Sequence, residues 1–259
     1  MTSKELNTLV SNFFHQKDIG QPIQIIQNML PKNAVVYLIG GAIRNLAING
    51  LHGRGPLTKD LDLIIDPGDQ YIKLSKLFPK RQTLKNDLGG IRWTPQNSPF
   101  RFDISLLPDF LIIKKFDLAP TAQNLLESID FNVNAILYDF NHKLLYQKDF
   151  LSAIKLKRLG FNSRRIVDKS LITYRILLIS KKINFLLEKE VFQYLKKAVD
   201  VDTLIALRRI IKAKLDKPKQ IELMKEYNKI CGYTDYAAYC HDKQIEISEM
   251  HPTACEPSC

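Results

Sequence analysis

A chain of 259 residues, 45% of them apolar and 25% charged, exceeds the usual size of one domain and has the apolar content for a packed core. One compact domain with a helical extension is the simplest expectation. No run approaches the roughly eighteen consecutive apolar residues of a membrane span, and "MTSKELNTLVSNFFHQKD" lacks the basic-then-apolar order of a secretory signal, so no membrane partner and a cytoplasmic location are expected. The net charge of +11 is uneven. Residues 151–215 carry 16 Lys and Arg against 5 acids, whereas residues 1–150 carry 17 against 14 and residues 216–259 carry 5 against 8. Such a basic segment suits a polyanion such as nucleic acid, the plain alternative being a solvated Lys-rich helical face.

In chain order, "ELNTLVSNFF" and "PIQIIQNML" place apolar residues at helical spacing and predict two opening helices. "AVVYLIG" and "LDLIID" are short, rich in β-branched residues and bounded by Gly, Pro or charge, as strands are. Between them "AIRNLAING" has helical spacing, which gives strand, tight Gly turn, helix, loop, strand. Further strands are expected at "FRFDISLL", "FNVNAILYD" and, after a hairpin turn at Asn141, "KLLYQ". From about Leu151 the pattern becomes helical in "RIVDKSLITYRILLISKKINF", "EVFQYLKKAV" and "DTLIALRRIIKAKL". Lys217-Pro218 ends the last of these, and "IELMKEYNKICGY" adds a further helix. The fold class is therefore α/β (α+β), a mixed-sheet head over residues 1–150, a basic helical neck over 151–215 and a Cys-containing tail over 216–259.

Asp60 and Asp62 alternate with Leu61 and Leu63, so both carboxylates point to one face while the leucines are buried behind them. That arrangement suits divalent cations. Gly40 and Gly41, at the turn before a helix, let backbone amides approach a polyphosphate at the positive end of that helix. Asp103, inside the strand "RFDISLL", is the candidate third acid of a two-metal site. A phosphate cradle beside metal-binding carboxylates makes a nucleotidyl-transfer site.

"LIGGAIRNLAING" followed by "TKDLDLII" resembles the N-terminal signature of the class II poly(A) polymerase and CCA-adding tRNA nucleotidyltransferase family, of the polymerase-β nucleotidyltransferase superfamily. "SIDFNVNAILYD" is similar to its next motif, an Arg-Arg-Asp-Phe-Thr-Ile-Asn-Ala pattern, and "KSLITYRILLISKKINF" to a later helix. The resemblance spans roughly residues 30–190. It implies a nucleotidyltransferase head in which Gly40, Gly41 and Arg44 bind the triphosphate, Asp60, Asp62 and Asp103 bind Mg²⁺ or Mn²⁺, and Asp130 and Asn134 lie near the nucleotide's sugar. It implies transfer of a nucleoside monophosphate from an NTP to a hydroxyl, foremost an RNA or tRNA-like 3′ end. A protein or small-molecule acceptor, or a nucleotide- or RNA-binding module without turnover, are the alternatives.

Departures from the family pattern fall at informative positions. Asn45 replaces an Asp, Ser128 and Ile129 replace the Arg pair, and Lys169 and Ile172 replace the base-reading Asp and Arg, leaving Arg175 of that helix's polar readers. Lys169 and Arg175 would thus face the base without the family's paired donor and acceptor. Arg164, Arg165, Lys181, Lys182, Arg208 and Arg209 are candidates for RNA phosphates, and Tyr174 sits at core spacing. The four cysteines, Cys231, Cys240, Cys255 and Cys259, match no zinc pattern and are expected as free thiols on a loose tail. His52 is expected to face solvent.

Overall fold

The structure, a computed structural model, describes residues 1–53, 55–86, 89–96, 98–197 and 199–250, with side chains to residue 245. It divides into two compact units: residues 1–155 with 162–167, and residues 156–161 with 168–259.

The first unit opens with helix α1 (Ser3–Phe14) and helix α2 (Lys17–Met29). Thr2 and Glu5 form a reciprocal capping box at the start of α1, each side chain accepting the other's backbone N–H, which satisfies two otherwise orphaned donors. Helix α2 starts five residues before the expected Pro22 and carries that proline inside it, buried. Then follow β1 (Val35–Ile39), α3 (Gly41–His52), β2 (Asp60–Asp66), α4 (Leu74–Leu77), β3 (Thr83–Lys85), β4 (Ile91–Trp93), β5 (Arg101–Leu106), α5 (Leu111–Lys115), α6 (Ala122–Ser128), β6 (Ile136–Asp139), β7 (Leu144–Gln147) and α7 (Phe150–Lys155). The expected strand at "FNVNAILYD" is shorter than its sequence suggests, because Asn132–Asn134 form a 3₁₀ turn before β6 begins.

The seven strands form one mixed sheet in the order β3-β4-β5-β2-β1-β6-β7. Only β2 and β5 run parallel; the other neighbours are antiparallel. Register sorts the side chains by face. Val36, Leu38, Leu61, Leu63, Phe102 and Ile104 lie on one face and are almost fully buried. Phe14 of α1 reaches that face, stacking on Tyr138 at 5.9 Å. On the other face Tyr37, Ile64 and Leu137 pack with Ile113 of α5 and Leu125 and Leu126 of α6. That apolar cluster covers only part of the face. Beyond Ile39 the same face continues with Asp60, Asp62, Arg101, Asp103 and Arg92.

The segment Asn162–Val167 belongs to this first unit. The Asn162 side-chain amide donates to the carbonyls of Leu126 and Ile129 at 2.9 and 2.8 Å, and its backbone N–H donates to Asp130 O at 2.8 Å.

The second unit holds a two-stranded parallel ladder, β8 (Arg158–Leu159) and β9 (Leu186–Leu187), and helices α8 (Lys169–Ile183), α9 (Lys189–Lys197), α10 (Val201–Lys214), α11 (Lys217–Gly232) and α12 (Tyr236–Met250). Asp168, Asp200 and Asp216 are N-caps, each accepting a backbone N–H three residues on. With Asp168 as its cap, α8 starts at Lys169, four residues later than "RIVDKSL" suggests. Pro218 lies in the first turn of α11, where its missing N–H costs nothing, so it opens that helix as well as following α10.

The expected loose tail is helical through Met250. Tyr239 is buried, and its hydroxyl accepts the N–H of Leu187 at 3.0 Å while the Tyr236 hydroxyl donates to the Leu187 carbonyl at 2.9 Å. Burial also pushes the Tyr239 hydroxyl well above the ordinary tyrosine range. Cys231 and Cys240 are free thiols on α11 and α12; Cys255, Cys259 and His251 lie outside the described residues. Among the described residues no helix is long and apolar enough to cross a membrane.

Candidate nucleotidyl-transfer site

Antiparallel pairing answers why two glycines precede two acids by about twenty residues. Ile39, the last residue of β1, is the register partner of Asp62, so the chain reverses at Gly40 directly beside the acid-bearing end of β2. Gly40 has φ +61° and ψ −110°, a conformation that L side chains avoid, and glycine is required there. Gly41 is under no such demand: a Cβ on it would meet the Arg44 Nη2 at an ordinary 3.6 Å. No side chain caps the N-terminus of α3, whose first amides are left to other partners.

The parallel pairing of β2 with β5 sets Asp62 opposite Asp103 and Asp60 opposite Arg101; β4 then sets Arg92 opposite Asp103. All five side chains share one face, and the alternating residues behind them, Leu61, Leu63, Phe102 and Ile104, are 0% exposed. Arg101 grips Asp60 with Nε at 2.6 Å and Nη2 at 3.0 Å from the two carboxylate oxygens. Arg92 grips Asp103 likewise, at 2.9 and 2.8 Å. The Asp103 bonds, against partial desolvation and with the fields of Asp103, Asp60 and Asp62, hold the Arg92 guanidinium charged more firmly than usual. Neither arginine figured among the candidates read from sequence.

No group of three or more His, Cys, Asp or Glu side chains is assembled to hold a metal ion among the described residues, and Asp60 and Asp103 are turned to the two guanidiniums. The residues nevertheless fit a hard divalent cation. They offer oxygen anions on one face of adjacent strands, and two of the three carry a positive group as stand-in.

Arg44, expected at the triphosphate, is 4% exposed. Its Nη1 donates to Asn134 Oδ1 at 2.7 Å, and its Nε and Nη2 donate to Asn45 Oδ1 at 3.2 and 3.0 Å. Arg44 and Asn134 are thus brought together, 90 residues apart, beneath the glycine turn. Asp130 Oδ1 accepts the N–H of Phe131 at 3.0 Å, and its carbonyl receives Asn162. His52, expected to face solvent, is half-buried with Nε2 3.0 Å from the Ile154 carbonyl.

In the second unit Lys169 is exposed on the first turn of α8, its Nζ 3.7 Å from Asp200. Arg175 is half-buried on the same helix, and Tyr174 is core as its spacing suggests, at 6% exposed. Lys181, Lys182, Arg208 and Arg209 are exposed, Lys181 pairing with Glu222 at 2.9 Å. Arg164 is exposed and Arg165 half-buried, both in the segment that joins the first unit and not in the helical region.

No protein-family model matches the chain, and no curated protein does. Solved structures do. A CCA-adding enzyme in complex with CTP superposes with a TM-score of 0.57 at 18% identity, over 88% of this chain and 55% of that one. The Thermotoga maritima CCA-adding enzyme complexed with tRNA gives 0.53 at 18% identity, over 85% and 54%. The Bacillus stearothermophilus CCA-adding enzyme in complex with CTP gives 0.52 at 16% identity, over 82% and 49%. The chain spans about half the length of these structures. The mixed sheet followed by helices is therefore a fold that this chain shares with CCA-adding enzymes.

Proposed function

We propose that the chain is a metal-dependent nucleotidyltransferase that moves a nucleoside monophosphate from an NTP to a hydroxyl, foremost the 3′ end of a tRNA-like RNA. The observation that carries this reading is the placement of Asp60, Asp62 and Asp103 on one open sheet face, beside the Gly40 turn, in a fold shared with CCA-adding enzymes. Asp60, Asp62 and Asp103 would hold Mg²⁺ or Mn²⁺. Bound there, the metal supplies Lewis acidity for an in-line displacement of pyrophosphate.

The remaining work falls to the chain itself. The uncapped amides of Gly41 and Ala42 at the start of α3 receive phosphate oxygens, where the helix end is positive. Arg44 fixes that turn from below through Asn45 and Asn134, and it adds positive charge under the phosphates. Asp130 and Asn134 border the sugar. On this reading residues 1–155 with 162–167 serve as the head and the helices from α8 onward as neck and tail, and Arg164, Arg165, Lys181, Lys182, Arg208 and Arg209 are the candidates for RNA phosphates. Lys169 and Ile172 stand where the resembled family has its base-reading Asp and Arg, and Arg175 is the polar reader that remains.

One observation favours a second reading, a nucleotide- or RNA-binding module without turnover: arginines occupy two of the three acids. Incubation with each α-labelled NTP, Mg²⁺ or Mn²⁺ and total RNA separates the readings. Labelled RNA 3′ ends support the proposal, labelled protein moves the acceptor, and nucleotide binding without label supports the module.

A further inference from the structure

On the open sheet face two rungs carry charges of both signs. Arg92, Asp103 and Asp62 lie side by side on β4, β5 and β2; Arg101 and Asp60 lie side by side one pleat away. Three acids this close repel one another, and the two guanidiniums offset part of that repulsion. Each arginine uses its planar fork on both oxygens of its carboxylate, so a cation arriving there competes with a guanidinium for every oxygen of Asp60 and Asp103.

We propose that Arg92 and Arg101 are exchangeable counter-ions, holding Asp103 and Asp60 while the face carries no metal and passing to nucleotide phosphate oxygens when a divalent cation takes the carboxylates. This rests on the reading that these acids bind metal. Both guanidiniums have room to turn, since the Arg92 and Arg101 side chains are 44% and 49% exposed. The planar fork that matches a carboxylate matches a phosphate equally well, which a lysine point charge would not. Asp103, at 18% exposed, loses more than Asp60, at 48%, when left unpaired, so Arg92 is the stronger clamp. Pairs this exposed contribute little to folding, and their effect belongs in metal affinity.

The test measures Mn²⁺ alone by electron paramagnetic resonance on wild type, Asp62→Asn, Arg92→Gln, Arg101→Gln and the Lys variants of both arginines. A non-hydrolysable NTP analogue is then titrated calorimetrically in saturating Mn²⁺. Arg92→Gln should bind Mn²⁺ about threefold to tenfold more tightly than wild type, Arg101→Gln less so, and the Lys variants should fall between. Analogue affinity should fall in the same variants, a pair of opposite shifts that a structural role would not produce. Should a Gln variant fail to fold by circular dichroism, its Lys variant carries the same ordering. Wild-type Mn²⁺ binding that Asp62→Asn abolishes but neither arginine variant tightens overturns the counter-ion role and leaves the metal reading standing. Tighter Mn²⁺ binding with unchanged analogue affinity overturns the exchange. Absence of Mn²⁺ binding in every protein overturns both.

Discussion

Replacing Arg44 by Met keeps an unbranched stem as far as the Nε position and removes every side-chain donor. In the wild type a guanidinium 4% exposed makes bonds of 2.7, 3.0 and 3.2 Å to two amide oxygens, Asn134 Oδ1 and Asn45 Oδ1, whose residues are themselves 6% and 3% exposed. Methionine cannot bond either oxygen, and it stops short of the place the guanidinium fills. Each orphaned acceptor costs about 1–3 kcal/mol, and the relief from no longer burying a cation offsets part of that, so a net loss of about 2–4 kcal/mol is expected. Urea unfolding followed by circular dichroism measures it, with the slope as a check that the transition keeps its character. A loss under about 1 kcal/mol with a raised KM for NTP would refute the reasoning and make Arg44 an accessible phosphate ligand instead of the prop beneath the turn.

On the proposed reading Asp62→Asn should lower transfer at least about a hundredfold while changing stability by no more than about 0.5 kcal/mol, because it alters a proposed metal ligand whose side chain is exposed; near-normal turnover would sink the site. Reversing Arg164 and Arg165 to Glu should weaken RNA binding at low salt and flatten its salt dependence, read by filter binding across a KCl series. With Lys169 paired to Asp200 and Ile172 offering no hydrogen bond, kcat/KM should differ by under about tenfold among the four NTPs. Strict CTP and ATP use would assign base reading to other residues. Burial raises the Cys231 thiol above the ordinary range, so less thiolate is present at pH 7–8. Its alkylation by iodoacetamide, followed by peptide mass spectrometry, should lag an exposed thiol and catch up only as the pH rises further.

The strand–turn–helix–strand unit was legible because its signals are local. β-branched runs, a glycine pair and acids alternating with leucines each state their own geometry. Strands β3 and β4, three residues each, are too short to show alternation, and β4 holds its place through β5. Arg92 stayed hidden for that reason: its role depends on which strand lies alongside, a fact of register. Arg101 stood two residues before Asp103 in plain view, yet its partner Asp60 is 41 residues away. The burial of Arg44 likewise depends on Asn134. Segment 162–167 reads as helical approach, but the long-range bonds of Asn162 bind it to the head. In α12 the anchors are tyrosine hydroxyls, which no apolar periodicity announces.

Those hydroxyls decide how wide a sheet can grow. On either side of Leu187, the Leu186 N–H donates to the Lys157 carbonyl and the Glu188 N–H to the Leu159 carbonyl, so Leu187 presents its own N–H and C=O to the opposite side, where a third strand would pair. Tyr239 and Tyr236, 52 and 49 residues further along the chain, claim both groups. A late helix thereby closes an early ladder at two strands and removes the template that another copy of the chain could extend. The protection is made of two oxygen atoms: phenylalanine at both positions would keep nearly all the packing and reopen the edge, turning a matter of hydrogen bonding into one of self-association at high concentration.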